Sequence, residues 1–179
     1  LAPRTFSVNG TPVDCVNLAL LKIMPKAPSI LVSGINKGVN LGDDVLYSGT
    51  VSAAMEGTIL GVPSVAVSQE GGEDFRFAVG ATYAARVVKL VLEQGLPEET
   101  LLNVNIPNVA DAATLPRRIT RLGRRHASQA VIRQTNPRGE PIYWIGPAGD
   151  AREAGAGTDF HATAIGQVSV TPLQIDLTE

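Results

Sequence analysis

The feature that most constrains the fold is a strand, loop, helix and strand pattern across residues 29–68. A short apolar run at 29–33 is bounded by proline and glycine, which favours a strand with both faces buried, and a second apolar run follows Pro63 at 64–68. The segment 48–60 between them has helical spacing, with Ser48 as its expected N-cap. Its buried stripe is predicted at Val51, Ala54, Met55 and Ile59. This is the pattern of a βαβ unit, so it predicts two parallel strands joined by a right-handed crossover.

Elements on either side extend this unit into an α/β domain. Residues 11–24 are predicted to form a helix, in which Thr11 is the N-cap, Pro12 is the first helical residue and Asp14 completes a capping box. Its predicted core face is Val13, Val16, Leu20 and Ile23. A further helix and strand are predicted at residues 73–94 and 101–106. We therefore expect a three-layer, Rossmann-like α/β fold with a mostly parallel sheet, whose core part is residues 1–107.

The rest of the chain, residues 108–179, has a different pattern, although we expect one domain overall. Residues 129–145 are predicted to form a hairpin that turns at 136–139. The other predictions are a strand, a loop and an extended segment broken by Pro172, at residues 118–122, 146–158 and 168–177. The hairpin and the extended segment could form an arm that contacts another subunit. An ordinary edge hairpin that packs on its own domain fits the same pattern.

Composition argues against several classes of function. Hydrophobic residues make up 44% of the 179 residues, which is enough for a buried core. The formal net charge of −2 gives no reason to expect binding to a nucleic-acid polymer, and we expect neither a membrane span nor a signal peptide. The arginines between 117 and 125 are predicted to lie on a solvated strand edge or turn. Cys15 is predicted to be a buried thiol, and a single cysteine is consistent with a cytoplasmic protein.

The loop that follows the first predicted strand carries the residues suited to ligand chemistry. In parallel sheets, ligands bind at the carboxyl ends of the strands, where such loops lie. Asn36 and Asn40 offer carbonyl oxygens, which are ligands that Mg²⁺ or Mn²⁺ accepts. Ser48, Gly49 and Thr50 open the next helix, where free amides and the helix dipole favour an anion such as phosphate.

A simpler interpretation of this loop stays open on the residues alone. A serine N-cap followed by glycine and threonine is common without any ligand, and Gly/Asn/Asp-rich segments are usually turns. The segment lacks the spacing of a P-loop and of the dinucleotide-binding glycine fingerprint. The residues by themselves therefore indicate an α/β protein whose helix start is suited to an anion.

The same loop closely resembles the signature of the SurE family of survival-protein phosphatases. The resemblance is carried by Ser-Gly-Ile-Asn at 33–36, by Gly38, Asn40 and Gly42, and by Tyr-Ser-Gly-Thr-Val at 47–51. Further matches extend over nearly the whole chain: Gly-Thr-Pro at 10–12, Pro-Ser-Val-Ala-Val-Ser at 63–68, Asn-Val-Asn-Ile-Pro at 103–107, Asn-Pro-Arg-Gly at 136–139, Tyr-Trp-Ile-Gly at 143–146 and Thr-Asp-Phe at 158–160.

The resemblance implies metal-assisted hydrolysis of the phosphate monoester of a nucleoside monophosphate. It assigns Asn36 to a divalent metal, Mg²⁺ or Mn²⁺, and assigns Asn40, Ser48, Gly49 and Thr50 to the phosphate. The family's other metal ligands, a pair of aspartates in Asn-Asp-Asp-Gly and a serine, precede the Gly-Thr-Pro motif and have no counterpart in these 179 residues. We therefore expect no catalytic residue within this chain, an N-terminally shortened domain, and no activity of the chain by itself.

Two other functions stay possible at this point. The chain could be a non-catalytic module that binds an anion or a nucleotide without the metal site, or an oligomerisation element built on the hairpin. The resemblance also implies a homodimer or homotetramer in which C-terminal segments are exchanged between subunits. Residues 129–146 and 166–178 are the segments that we expect to be exchanged.

Overall fold

A computed structural model describes residues 3–110, 114–126, 131–146, 149–176 and 178. The helices are α1 (Pro12–Leu18), continued by a π-helical turn at Ala19–Ile23, α2 (Gly49–Ile59), α3 (Phe77–Gln94) and α4 (Asp159–Ala164). A short 3-10 helix spans Gly42–Leu46. The strands are β1 (Leu31–Lys37), β2 (Ser64–Gln69), β3 (Thr100–Ile106), β4 (Arg117–Ile119), β5 (Arg124–Arg125), β6 (Ile132–Thr135), β7 (Pro141–Trp144), β8 (Ala151–Glu153) and β9 (Val168–Gln174).

The central sheet has five strands in the order β1-β2-β3-β9-β4. Strands β1, β2 and β3 are parallel, β9 is antiparallel to β3, and β4 is parallel to β9. The predicted βαβ unit and the mostly parallel α/β sheet are therefore confirmed. Residues 168–174, predicted as part of an exchanged arm, instead form a strand of their own chain's sheet, so the sheet draws on both halves of the sequence.

Helices cover both faces of the sheet, and each face has its own apolar core. On one face, Val65, Val67, Val104 and Val170 pack against α3 through Tyr83, Val87 and Val91. On the other face, Ala66 and Leu101 pack against Val51 and Ala54 of α2. Tyr83, Val87 and Val91 share one side of α3, because residues three and four apart lie on the same face of a helix. The loop that joins β1 to α2, which carries the predicted ligand residues, lies on the α2 side of the sheet.

The first helix begins as predicted but differs at its core face. The Thr11 hydroxyl accepts a hydrogen bond from the Asp14 amide, and the Asp14 carboxylate accepts one from the Thr11 amide, so the capping box is confirmed. Cys15 is exposed, and the prediction that it is buried is wrong. Ile23 is also 39% exposed. The helical spacing identified the buried Val16 but could not show how little of the domain covers α1.

Strand β1 is not buried on both faces, in contrast to the prediction. It lies at one edge of the sheet, and Val32 is 45% exposed. Strand β2, by contrast, is buried along its whole length. Ile59 of α2 is 60% exposed and does not belong to the buried stripe. A run of apolar residues gives no information about which strand occupies the edge of a sheet.

The C-terminal half contains more pairing than the sequence indicated. The hairpin is confirmed as β6 and β7, with Asn136 closing the turn through hydrogen bonds from Arg138 and Glu140. Strand β8 lies in the segment predicted as a loop and pairs with β5. Strand β9 continues through Pro172, because β4 pairs only with its residues 168–170 and an edge tolerates proline. Among the helices of the described ranges, none is long and apolar enough to cross a membrane.

Candidate functional site

Polar side chains form a row across the sheet at its carboxyl-terminal end. Asn36 of β1 lies opposite Ser68 of β2, and Ser68 lies opposite Asn105 of β3. These side chains share the α2 face, since Ala66, two residues before Ser68, packs against that helix. Ser68 and Asn105 are fully buried, whereas Asn36 is half-buried at the edge strand. The row gives the loop after β1 a polar floor.

Asn40 fastens the loop to this floor. Its backbone N–H donates to Asn105 Oδ1 over 2.8 Å, and its carbonyl oxygen accepts from Asn103 Nδ2 and Asn105 Nδ2 at 2.9 and 3.1 Å. Its side-chain Nδ2 donates to Ser68 Oγ over 2.6 Å. Asn40 is only 8% exposed, so these bonds form in a region of low dielectric, where they are strong and geometrically specific. Asn40, which is predicted to bind phosphate, therefore also holds the loop against the sheet.

Sequence reasoning did not identify the partners of Asn40. Asn103 and Asn105 alternate with apolar residues in β3, and Ser169 and Thr171 do so in β9. The hydroxyl of Thr120 lies 2.8 Å from that of Ser169 and 2.7 Å from that of Thr171, which extends the polar row toward β4. Polar residues at every second position of an otherwise buried strand were the available signal.

The start of α2 has free hydrogen-bond donors. Ser48 Oγ accepts from the Val51 amide at 3.2 Å, which confirms Ser48 as the N-cap. Within the described chain, the amides of Gly49 and Thr50 and the Thr50 hydroxyl have no hydrogen-bond partner. A Cβ on Gly49 would lie 3.1 Å from Cγ of Pro12, so glycine lets α1 approach here. Unpaired amides at a helix start can bind an anion.

Asn36, the predicted metal ligand, presents a free oxygen. Its Nδ2 donates to the Gly38 carbonyl oxygen over 2.9 Å, which orients the side-chain amide. No donor reaches Asn36 Oδ1 from the residues that the structure describes. The neighbouring Gly34 has a φ of 128°, and its Cα lies so close to the Val67 carbonyl that no side chain would fit. The Ser-Gly-Ile-Asn motif therefore combines a backbone constraint with one available oxygen ligand.

Asp43 and Asp44, the two aspartates of the loop, both accept hydrogen bonds from Arg125. Asp44 Oδ2 accepts from Arg125 Nε and Nη2 at 2.9 and 2.7 Å, and Asp43 Oδ2 accepts from the Arg125 backbone amide. The prediction of a solvated arginine cluster is therefore wrong for Arg125, whose side chain is 21% exposed. In residues 3–110, 114–126, 131–146 and 149–176, no three histidine, cysteine, aspartate or glutamate side chains are grouped closely enough to hold a metal ion.

Comparisons with known proteins agree with the fold and the loop. Residues 2–129 match the family model described as Survival protein SurE. The 5'-nucleotidase SurE of Nitrosococcus oceani is 53% identical over 173 residues, which cover 97% of this chain and 69% of that protein. The crystal structure of the SurE protein from Aquifex aeolicus superposes with a TM-score of 0.81 at 47% identity, and the match covers 96% of this chain and 69% of that one.

The fold is that of an α/β protein whose parallel strands end beside the loop, at the edge where open parallel sheets generally bind ligands. With more than half of its residues matched by the family model, the chain belongs to the SurE family.

Proposed function

We propose that the protein is a metal-dependent phosphatase that hydrolyses nucleoside monophosphates. The observation that carries the proposal is the pairing of two features on one face of the sheet. The free amides of Gly49 and Thr50 are suited to phosphate, and the free Oδ1 of Asn36 is suited to a hard cation. The name of the Nitrosococcus oceani relative, a 5'-nucleotidase, supports the substrate class.

The phosphate is proposed to bind at the start of α2. The amides of Gly49 and Thr50 and the Thr50 hydroxyl donate to its oxygens, and the helix dipole adds to the attraction. Ser48 keeps its hydroxyl on the Val51 amide and fixes the direction of the helix start. Asn40 contributes the second hydrogen of its side-chain amide, since the first is used by Ser68. These donors hold the substrate while the ester bond is hydrolysed.

The metal is proposed to bind at Asn36 Oδ1. A divalent cation there, Mg²⁺ or Mn²⁺, supplies polarisation of the phosphate and a bound water of lowered pKa. Asn36 fits such a cation because its oxygen is hard, neutral and oriented by the bond to Gly38. The described residues offer no carboxylate cluster beside it. We therefore propose that the charged ligands are the aspartates of the Asn-Asp-Asp-Gly segment that the family pattern implies, and that turnover requires them.

A substitution at Asn36 tests this function in the protein that carries the Asn-Asp-Asp-Gly segment. With a nucleoside 5'-monophosphate and Mg²⁺ or Mn²⁺, Asn36→Ala is expected to lower metal affinity or activity about 10- to 100-fold, because a ligand oxygen is lost. Asn17→Ala is the matched control, since Asn17 is a half-buried asparagine of α1 whose side chain has no hydrogen bond in the described structure. Equal activity of the two variants would contradict the proposed metal ligand.

The same assay separates the enzyme from the alternative of a binding module. An enzyme releases inorganic phosphate in the presence of metal, whereas a binding module retains the nucleotide without turnover. Binding that does not depend on metal, with no release of phosphate from the unaltered protein, would favour the module.

The hairpin is proposed to act in assembly. The side chains of Tyr143, Trp144 and Ile145 are 62%, 58% and 78% exposed, and Val131 and Ile132 are each 57% exposed. A group of exposed apolar side chains of this kind is typical of a contact surface between proteins. We propose that it joins two or four copies of the chain, with residues 129–146 exchanged between them, whereas residues 168–174 of the second expected segment pair with β3 of their own chain.

A further inference from the structure

Asp159 is a buried carboxylate at the first residue of α4, 117 residues after Gly42 in sequence. It is fully buried, and its Oδ2 accepts from the Gly42 amide over 2.7 Å. Its Oδ1 accepts from the amides of Gly123 and Phe160 at 2.8 and 2.9 Å. In the part of the chain that the structure describes, no cationic side chain forms an ion pair with it. Three backbone amides therefore compensate for the burial of this carboxylate.

Two of the three amides that Asp159 binds belong to glycines that admit no side chain. Gly42 has a φ of 53°, and a Cβ there would lie 2.7 Å from both the Gly123 carbonyl oxygen and Cε2 of Phe160. A Cβ on Gly123 would clash with the Glu153 carbonyl and the Phe160 ring. The loop that joins β1 to α2, called the signature loop, therefore has its backbone against the backbone after β4. The Asp159 carboxylate accepts hydrogen bonds from both segments.

Arg125 forms a second attachment to the same turn. Its guanidinium donates twice to Asp44 Oδ2 and lies 4.7 Å from the centre of the Phe160 ring, and its backbone amide donates to Asp43. Two bonds from one guanidinium to a carboxylate fix direction as well as distance. The 3-10 helix at Gly42–Leu46 is therefore held at its first residue by Asp159 and along its first turn by Arg125.

The 3-10 helix lies in the backbone segment that joins Asn40 to Ser48. Gly42 follows Asn40 by two residues, and Ser48 follows Leu46 by two. A shift of the turn moves the phosphate donors at the start of α2 relative to Asn36 and the sheet. We infer that Asp159 and Arg125 are positioning residues of the proposed site, which set the distance between its metal side and its phosphate side. The expected change in kcat/KM rests on the proposed function, whereas the expected change in hydrogen exchange does not.

Two variants and a matched control test the inference in the protein with its complete metal site. Asp159→Asn keeps the shape but places an NH₂ group against a backbone N–H. Arg125→Gln removes both guanidinium bonds to Asp44. Thr158→Ala is the control, because Thr158 is equally buried and caps α4 through His161 but has no hydrogen bond to the turn. The measurements are hydrogen exchange across 42–46 and kcat/KM for a nucleoside monophosphate, below the unfolding temperature of every variant.

The expected result is faster exchange across 42–46 in Asp159→Asn and Arg125→Gln, with kcat/KM about 10- to 100-fold lower, since a misplaced site of this kind costs up to about 100-fold. Thr158→Ala should lower the unfolding temperature without either effect. Exchange and kinetics in the two variants that match those of Thr158→Ala would overturn the inference. If the unaltered protein hydrolyses nothing, the proposed function fails, and the exchange data still decide whether these residues hold the turn. If Asp159→Asn does not fold, Arg125→Gln decides both measurements.

Discussion

Nδ2 of Asn40 lies 2.6 Å from Oγ of Ser68, and this hydrogen bond joins the signature loop to the second strand of the sheet. Ser68 is fully buried, and Asn40 is 8% exposed. Because both residues are buried, water cannot replace either partner of this hydrogen bond.

Ser68→Ala is expected to lower the free energy of unfolding by about 1–3 kcal/mol, because it leaves a buried amide without its acceptor. Ser64→Ala is the matched control in the same strand and on the same face. Ser64 is also fully buried, and its hydroxyl donates to the Val62 carbonyl of its own turn. Denaturant unfolding of both variants checks the prediction, and an equal loss in the two would count against a special role for Ser68.

Thr50→Val is expected to weaken substrate turnover without a change in the metal requirement. The exchange keeps the shape of the side chain and removes a hydroxyl proposed to donate to phosphate, at a cost of about 1.5–3 kcal/mol. This corresponds to a fall of about 10- to 150-fold in kcat/KM. Thr58→Val in the same helix is the control, since the Thr58 hydroxyl donates to the Ala54 carbonyl. Similar kinetics for the two variants would remove Thr50 from the phosphate site.

Acid is expected to weaken the start of α1. The Thr11 amide and hydroxyl donate hydrogen bonds to the Asp14 carboxylate. The hydrogen bond from the amide is the main cause that lowers the pKa of Asp14 below 3.8. Because the folded pKa is below the unfolded one, the contribution to stability is fully present above about pH 4 and is lost as the pH falls through the folded pKa. The stability difference between the unaltered protein and Asp14→Asn should shrink in denaturant titrations as the pH falls from about 5 to about 2, a range from about one unit above the usual aspartate pKa to about two units below it.

The comparison for this titration is Glu98→Gln, whose exposed carboxylate has no hydrogen-bond partner in the described structure. Its stability difference should stay small throughout the range. A pH-independent difference for Asp14→Asn would show that the capping box does not depend on the charge.

Removal of the exposed aromatic side chain at the open end of the hairpin, opposite Ile132, is expected to weaken assembly. Trp144 is 58% exposed, and its Nε1 donates to Gln134 of the paired strand, which holds the ring outward. Trp144→Ser should shift the mass measured by light scattering toward the monomer. Leu92→Ser on α3 removes an apolar side chain that is 53% exposed, and it should leave the mass unchanged. A monomeric unaltered protein would contradict the proposed role of the hairpin.

The parts of this structure that the sequence predicted depend on neighbouring residues. The caps at Thr11 and Ser48 and the βαβ unit are written within a few residues or one crossover. The contact between Gly42 and Asp159 spans 117 residues, and the pairing of β5 with β8 joins segments without strand-like patterns. Such contacts are selected by the packing of the whole domain, which no local period reports.

The candidate site divides in the same way. Asn36, Ser48, Gly49 and Thr50 were found through residue chemistry at a loop and through the family resemblance. Asn103, Asn105 and Asp159, which hold the loop in place, lie in matched motifs but were assigned no role, since a buried asparagine or aspartate has no recognisable spacing. Arg125 was misread as a solvent-exposed charge because its partner, Asp44, lies 81 residues away.

The position of β9 in the sheet has a consequence for synthesis of the chain. Strands β1, β2 and β3 can pair as soon as residue 106 has emerged from the ribosome, since all three come from the first part of the sequence. The open side of β3 then has no neighbour until residues 168–174 arrive, and β4 has no partner in the central sheet before that time. An uncovered strand edge invites pairing with other chains. During synthesis the edge of β3 therefore stays open to such pairing until residues 168–174 have emerged.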